Sequence, residues 1–238
     1  AVVDLRPYAA KLNWPVGIGT PHVQDASYPF LIQEKYRAGY FTHYAGEGTI
    51  RSAKLLYQGE EADLCLCRTK AHVSQEGKDR ILTLDPVEIE FEGLTVKLQT
   101  VLTFTEGTGA IRIERRVLQM SDPDAEVEID EYLVACYGTT EYPEDMSSLT
   151  LWAEKAGMER KALPYEYKCR EYTLAEADRV GCTLPPIHTR VSLTCEGRDR
   201  EGYMKEGYAF SPMFTLGYKG RLKEKERFVT WLSLEKAD

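Results

Sequence analysis

At 238 residues, 43% of them hydrophobic, the chain has the length of one large β domain and enough apolar side chains to bury a core. A formal charge of -8, with Lys and Arg scattered among acids, argues against nucleic acid as the main partner, because a phosphate-binding surface needs clustered cations. No apolar run approaches the roughly 20 residues that a membrane-spanning helix requires, so no membrane partner is expected.

Along the chain, residues 1–30 carry Pro7, Pro15, Pro21 and Pro29 with Gly17 and Gly19, a composition for extended segments and turns. Strand-like pieces follow at Phe30-Leu31-Ile32 and Lys54-Leu55-Leu56-Tyr57, and Cys65 and Cys67 sit two apart on what reads as a strand. Residues 81–136 hold the most regular pattern. Val87, Ile89 and Phe91 alternate with Glu88, Glu90 and Glu92; Leu94, Val96 and Leu98 follow a turn at Gly93. Ile111 and Ile113 come after Glu106-Gly107-Thr108-Gly109, and Val127, Ile129, Leu133 and Ala135 after Asp122-Pro123-Asp124. A period of two with short Gly or Asp-Pro connections predicts four consecutive antiparallel strands joined as hairpins.

Leu149-Thr150-Leu151-Trp152 forms another apolar piece. Thr173-Leu174-Ala175-Glu176 then fits a capping box, with Gly181 placed to stop a short helix. Pro185 and Pro186 lead into a strand around Val191, Leu193 and Cys195, and Met213–Gly217 and Phe228–Leu234 supply later strands. Turn spacing predicts twelve or more strands, either in two stacked sheets or in a large closed barrel, as a single domain over residues 1–238. Six cysteines without a C-x-x-C pair read as small buried thiols in a reducing cytoplasm.

Three pieces carry a family resemblance. Gly48-Thr49-Ile50-Arg51 with Leu56-Tyr57-Gln58-Gly59-Glu60 is one, His72 is the second, and Leu222-Lys223-Glu224-Lys225-Glu226 before Phe228-Val229-Thr230-Trp231 is the third. Together they resemble the galactose mutarotase-like family. The resemblance implies an all-β fold, a large antiparallel two-sheet supersandwich with one or two short helices, and a small-molecule carbohydrate as partner. It also implies aldose epimerase-like isomerase chemistry, in which a base takes the anomeric hydroxyl proton and an acid protonates the ring oxygen. On that resemblance His72 is the acid, Glu226 (or Glu224) the base, and Arg51 a substrate-binding residue. The family's catalytic His after the central strands has no counterpart in Tyr137-Gly138-Thr139-Thr140-Glu141-Tyr142-Pro143. A non-catalytic carbohydrate-binding module, or an accessory subunit with a partner chain or in a homo-oligomer, is therefore the alternative.

Other residues extend this reading. Tyr137 and Tyr142, among 15 tyrosines, and His188 are further candidate substrate-binding residues, since aromatic faces pack on the C–H faces of sugars. Glycoside hydrolysis would need two carboxylates facing across a cleft; Asp130 and Glu128 share a strand face, but among 38 acidic residues such neighbours arise by chance. His22, His43, His72 and His188 lack metal-ligand spacing, so neither a metal nor a cofactor is expected. Lys219-Gly220-Arg221-Leu222-Lys223, the nearest thing to a basic run, reads as a solvated turn.

Overall fold

The structure is a computed structural model that describes residues 2–4, 11–13, 50–64, 67, 69–136, 150–156, 161–164, 170–184, 189–206 and 213–236. Its strands in chain order are β1 (Val2–Asp4), β2 (Lys11–Asn13), β3 (Ile50–Tyr57), β4 (Glu60–Asp63), β5 (Ala71–Glu76) and β6 (Asp79–Leu84). Next come β7 (Val87–Phe91), β8 (Leu94–Thr105), β9 (Ala110–Met120), β10 (Val127–Cys136), β11 (Thr150–Glu154) and β12 (Lys161–Pro164). The last six are β13 (Glu171–Ala175), β14 (Arg179–Leu184), β15 (Thr189–Glu196), β16 (Arg198–Glu206), β17 (Met213–Leu222) and β18 (Arg227–Lys236).

They form two antiparallel sheets. An eight-stranded sheet runs β1-β2-β3-β10-β17-β16-β13, with β4 beside β3. A ten-stranded sheet runs β12-β11-β14-β15-β18-β9-β8-β6-β5, with β7 beside β8. One apolar cluster joins their inner faces, with Leu55, Ile129, Leu133, Leu216 and Tyr218 from the first sheet and Leu98, Ile113, Val191, Phe228 and Leu232 from the second. The expected all-β, two-sheet architecture is present, and the closed barrel is not the arrangement.

Two local expectations are corrected. The pattern over 81–136 does not continue as one meander. β7, β8 and β9 pair as hairpins, but the Asp122-Pro123-Asp124 connection carries β10 into the other sheet, between β3 and β17. Residues 173–176 are not the start of a helix, and no helix is found among the described residues. Tyr172 and Leu174 pack against the core from β13, which pairs with β16, so a period of two supported by tertiary contacts overrides the local cap signal. Glu176 turns the chain at a φ of 57° instead of capping it. Gly181 lies on β14 beneath Trp152, where a Cβ would run into the indole.

Cys182 and Cys195 are buried, Cys67 is half-buried, and all three are unbridged. Cys67 lies beyond the end of β4, and Cys65 falls outside the described residues. No helix of the described residues is long and apolar enough to cross a membrane.

Candidate functional site

The two faces of the eight-stranded sheet divide their residues by parity. On β3, Ala53 and Leu55 enter the core while Lys54 and Leu56 face away from it. On β10, Ile129, Glu131 and Leu133 are buried between the sheets, and Asp130 and Tyr132 face the other way. Tyr203 and Lys205 of β16 and Thr215 and Lys219 of β17 complete that open face, with Glu61 and Glu171 at its sides. These residues line a pocket of about 260 Å³. That is below the roughly 300–1,000 Å³ of sites for drug-sized ligands, so the space suits one small ring.

Asp130 is the centre of the pocket's chemistry. The Tyr203 hydroxyl donates to Asp130 Oδ1 at 2.8 Å. Burial pushes the Asp130 carboxyl above its ordinary value, although the Tyr203 hydrogen bond and the Lys219 and Lys54 charges pull the other way. Burial also raises the Tyr203 phenol, as does the carboxylate beside it, so Tyr203 remains a proton donor. Lys219 holds its Nζ over the Tyr203 ring, 5.2 Å from the centroid.

One glycine makes this geometry possible. Gly217 of β17 stands in register between Tyr132 on β10 and Tyr203 on β16. A Cβ at Gly217 would collide with the end of the Tyr203 ring, including its hydroxyl. The missing side chain lets Tyr203 lie across β17 and reach Asp130 on the strand beyond.

The residues singled out from sequence lie on separate elements. Arg51 is on β3, where a bulge shifts the register so that it stands opposite Tyr132 while Ala53 stands opposite Glu131. The backbone of Arg51 therefore lies beside that of Tyr132. His72 is on β5, at the edge of the other sheet, with its ring nitrogen 2.9 Å from Asp85 Oδ1 and a side chain that is 68% exposed. Glu226 is in the β17–β18 turn. Its carboxylate accepts the Lys223 backbone N–H at 2.8 Å and lies 3.5 Å from Arg198. Glu224 accepts the Met120 N–H at 2.9 Å. Tyr137, Tyr142 and His188 fall outside the described residues.

Glu226 also borders a second pocket, of about 320 Å³, with Glu114, Arg116, Val117, Leu118, Lys225 and Arg227. Burial raises the Glu114 carboxyl there, but hydrogen bonds from Arg116 and Arg112 outweigh it and hold the group below its ordinary value. That pocket is a locked charge cluster, with Glu114 already paired with the guanidinium groups of Arg112, Arg116 and Arg227. Among the described residues no group of three His, Cys, Asp or Glu side chains is placed to hold a metal.

Sequence reasoning set Tyr203 among the aromatic residues suited to a sugar site but passed over Gly217 and Lys219. Lys219 was part of the run read as a turn, but it lies on β17, with Gly220 and Leu222 buried to one side and Lys219 on the open face. The usable signal was there: in Lys219-Gly220-Arg221-Leu222 the charged residues alternate with the inward ones.

No family model matches the chain, and no curated protein matches its sequence. Solved structures do match. A proposed mutarotase from Salmonella typhimurium, YeaD, superposes with a TM-score of 0.52 at 7% identity, covering 76% of this chain and 70% of that one. The alpha-N-acetylgalactosaminidase NagBb from Bifidobacterium bifidum matches with a TM-score of 0.54 at 10% identity over 79% of this chain but 31% of its own. A galactose mutarotase-like protein from Clostridium acetobutylicum gives 0.48 at 7% identity, over 79% of this chain and 77% of that one. At these identities the likeness concerns the fold alone: this chain has a galactose mutarotase-like fold.

Proposed function

We propose that the open face of the eight-stranded sheet binds a carbohydrate, and that Asp130 moves a proton at or near the anomeric carbon of the bound sugar. The observation that carries this reading is the partly buried Asp130 carboxyl, raised by burial and held by the Tyr203 hydroxyl at the floor of a one-ring pocket. A carboxyl shifted toward neutrality can hold and release a proton where an ordinary one stays ionised. In ring opening, one group takes the proton of the anomeric hydroxyl while another gives a proton to the ring oxygen. The bond from the anomeric carbon to the ring oxygen breaks, leaving an open-chain aldehyde that recloses on either face. Asp130 would serve as the acid, with Glu61 or Glu171 of the same pocket as the partner base. Tyr132 and Tyr203 would meet the sugar's C–H face, and Arg51 its hydroxyls. The mutarotase-like fold supports this class of substrate by analogy.

A binding-only role is the second reading. It is favoured by the lining of the pocket, which includes no imidazole among the described residues. Polarimetry of freshly dissolved monosaccharide anomers separates the two. Catalysis predicts faster equilibration that is lost in Asp130→Asn while calorimetric sugar binding persists. Binding without faster equilibration in the unaltered protein selects the module, and neither binding nor exchange discards both.

A further inference from the structure

β5 is the last strand of the ten-stranded sheet, and its outer edge has no partner strand among the described residues. The Asp85 N–H donates to the Lys70 carbonyl at 2.8 Å, which sets the phase of the ladder between β5 and β6. In an antiparallel pair, alternate residues turn their backbone groups to the partner strand. Lys70, His72, Ser74 and Glu76 therefore turn theirs to β6, while Ala71, Val73 and Gln75 present N–H and C=O groups outward. Native edges are ordinarily blunted by Lys, Pro or a bulge. β5 contains neither Lys nor Pro, and its ladder with β6 runs without a register shift. Val73 stands opposite the buried Leu82 yet is 74% exposed, more than any other large hydrophobic side chain among the described residues.

We infer that β5 pairs edge to edge with β5 of a second copy of this chain, antiparallel about a two-fold axis through Val73. In that register Ala71 faces the partner's Gln75 and Val73 faces the partner's Val73, so each outward backbone group meets a complement. The two valines cover one another. On the other side of the strand the exposed Lys70 and Glu76 stand opposite the partner's Glu76 and the partner's Lys70. Sliding the strands by two residues loses these ion pairs, setting Lys70 against the partner's Lys78 in one direction and His72 against the partner's His72 in the other. Charge thus selects the valine-centred register, and a two-fold contact closes as a dimer instead of growing. A strand-to-strand contact of this length is small, so the association is weak and reversible. It is independent of the carbohydrate reading, because β5 belongs to the sheet that does not carry the Asp130 pocket.

The test is sedimentation of the full chain over a concentration series, with amide hydrogen exchange as the local readout. The inference predicts a monomer–dimer equilibrium in which the Ala71, Val73 and Gln75 amides exchange more slowly as concentration rises. Val73→Pro removes an outward N–H and leaves the ladder with β6 intact, so it should abolish the dimer, with the melting temperature at low concentration confirming that the variant folds. Lys70→Glu and Glu76→Lys should each weaken self-association at least about tenfold. An equimolar mixture of those two variants should restore it, because each then meets opposite charges in the other. Sedimentation as a monomer at every concentration up to about 1 mM overturns the inference and leaves the edge to a strand from a different protein. A dimer that survives Val73→Pro and ignores both charge reversals also overturns it, by placing the contact elsewhere.

Discussion

Asp130 and Glu131 are adjacent on β10, both withdrawn from water, and their surroundings could hardly differ more. Glu131 faces the core at 2% exposure and receives two hydrogen bonds from Arg115 of the opposite sheet, at 2.7 and 3.0 Å, while Arg115 also donates to Thr100. Asp130 faces the open side and receives one, from a tyrosine. The first carboxylate is neutralised by a fixed bidentate partner and ties the two sheets together. Among the described residues the second receives that single side-chain hydrogen bond, and on the proposed function this is what would let it exchange a proton. Strand parity alone places one residue in the core between the sheets and its neighbour in the open-face pocket.

The comparison can be broken from either side. The largest effect should come from Glu131→Ala, which strands Arg115 in the core. It is expected to cost about 3–5 kcal/mol by denaturant unfolding, whereas a joint change of Glu131 and Arg115 to apolar residues of similar volume should restore most of the loss. A small effect of Glu131→Ala would show that the pair is not what joins the sheets. Next, Gly217→Ala should cost about 1–3 kcal/mol by forcing the Tyr203 ring aside. The same change should separate Tyr203 from Asp130, visible as a changed titration of Asp130 by carboxyl NMR. An unmoved titration would mean that Gly217 does not set the contact.

A third expectation concerns pH. The folded-state pKa of Asp130 is raised, so protonation favours the folded protein: the benefit is full below the unfolded value and is lost as pH rises through the folded value. Asp130→Asn removes an ionised, poorly partnered carboxyl, so its stability relative to the unaltered protein should improve from pH 4 to pH 7. A pH-independent difference would contradict the raised carboxyl. The smallest effect should be that of His72→Ala. Its contact with Asp85 is exposed and is worth at most about 1 kcal/mol, so the melting temperature should barely move. A large loss would give His72 a role that its surroundings do not suggest.

How much of this was legible in sequence follows from the range of each interaction. β7, β8 and β9 were readable because alternation and hairpin turns are local. The passage of β10 into the other sheet was not, since a strand with one buried face shows the same period of two whichever sheet it joins. The Tyr203–Asp130 hydrogen bond spans 73 residues and has no local signature. Asp130 was visible as a carboxylate on a strand face, but nothing nearby distinguished it from the wet glutamates of β7. Gly217 reads as a weak strand residue until the ring above it is known. Arg51 was found by resemblance, and the bulge that brings it opposite Tyr132 comes from pairing with β10.

The most direct test of the central claim is amide and carboxyl NMR mapping of the whole chain during titration with the tightest-binding sugar. The account predicts perturbations centred on Asp130, Tyr132, Tyr203, Thr215 and Lys219, with the Asp130 carboxyl changing its titration in the complex. Perturbations centred instead on His72, or on the Glu226 turn, would contradict it.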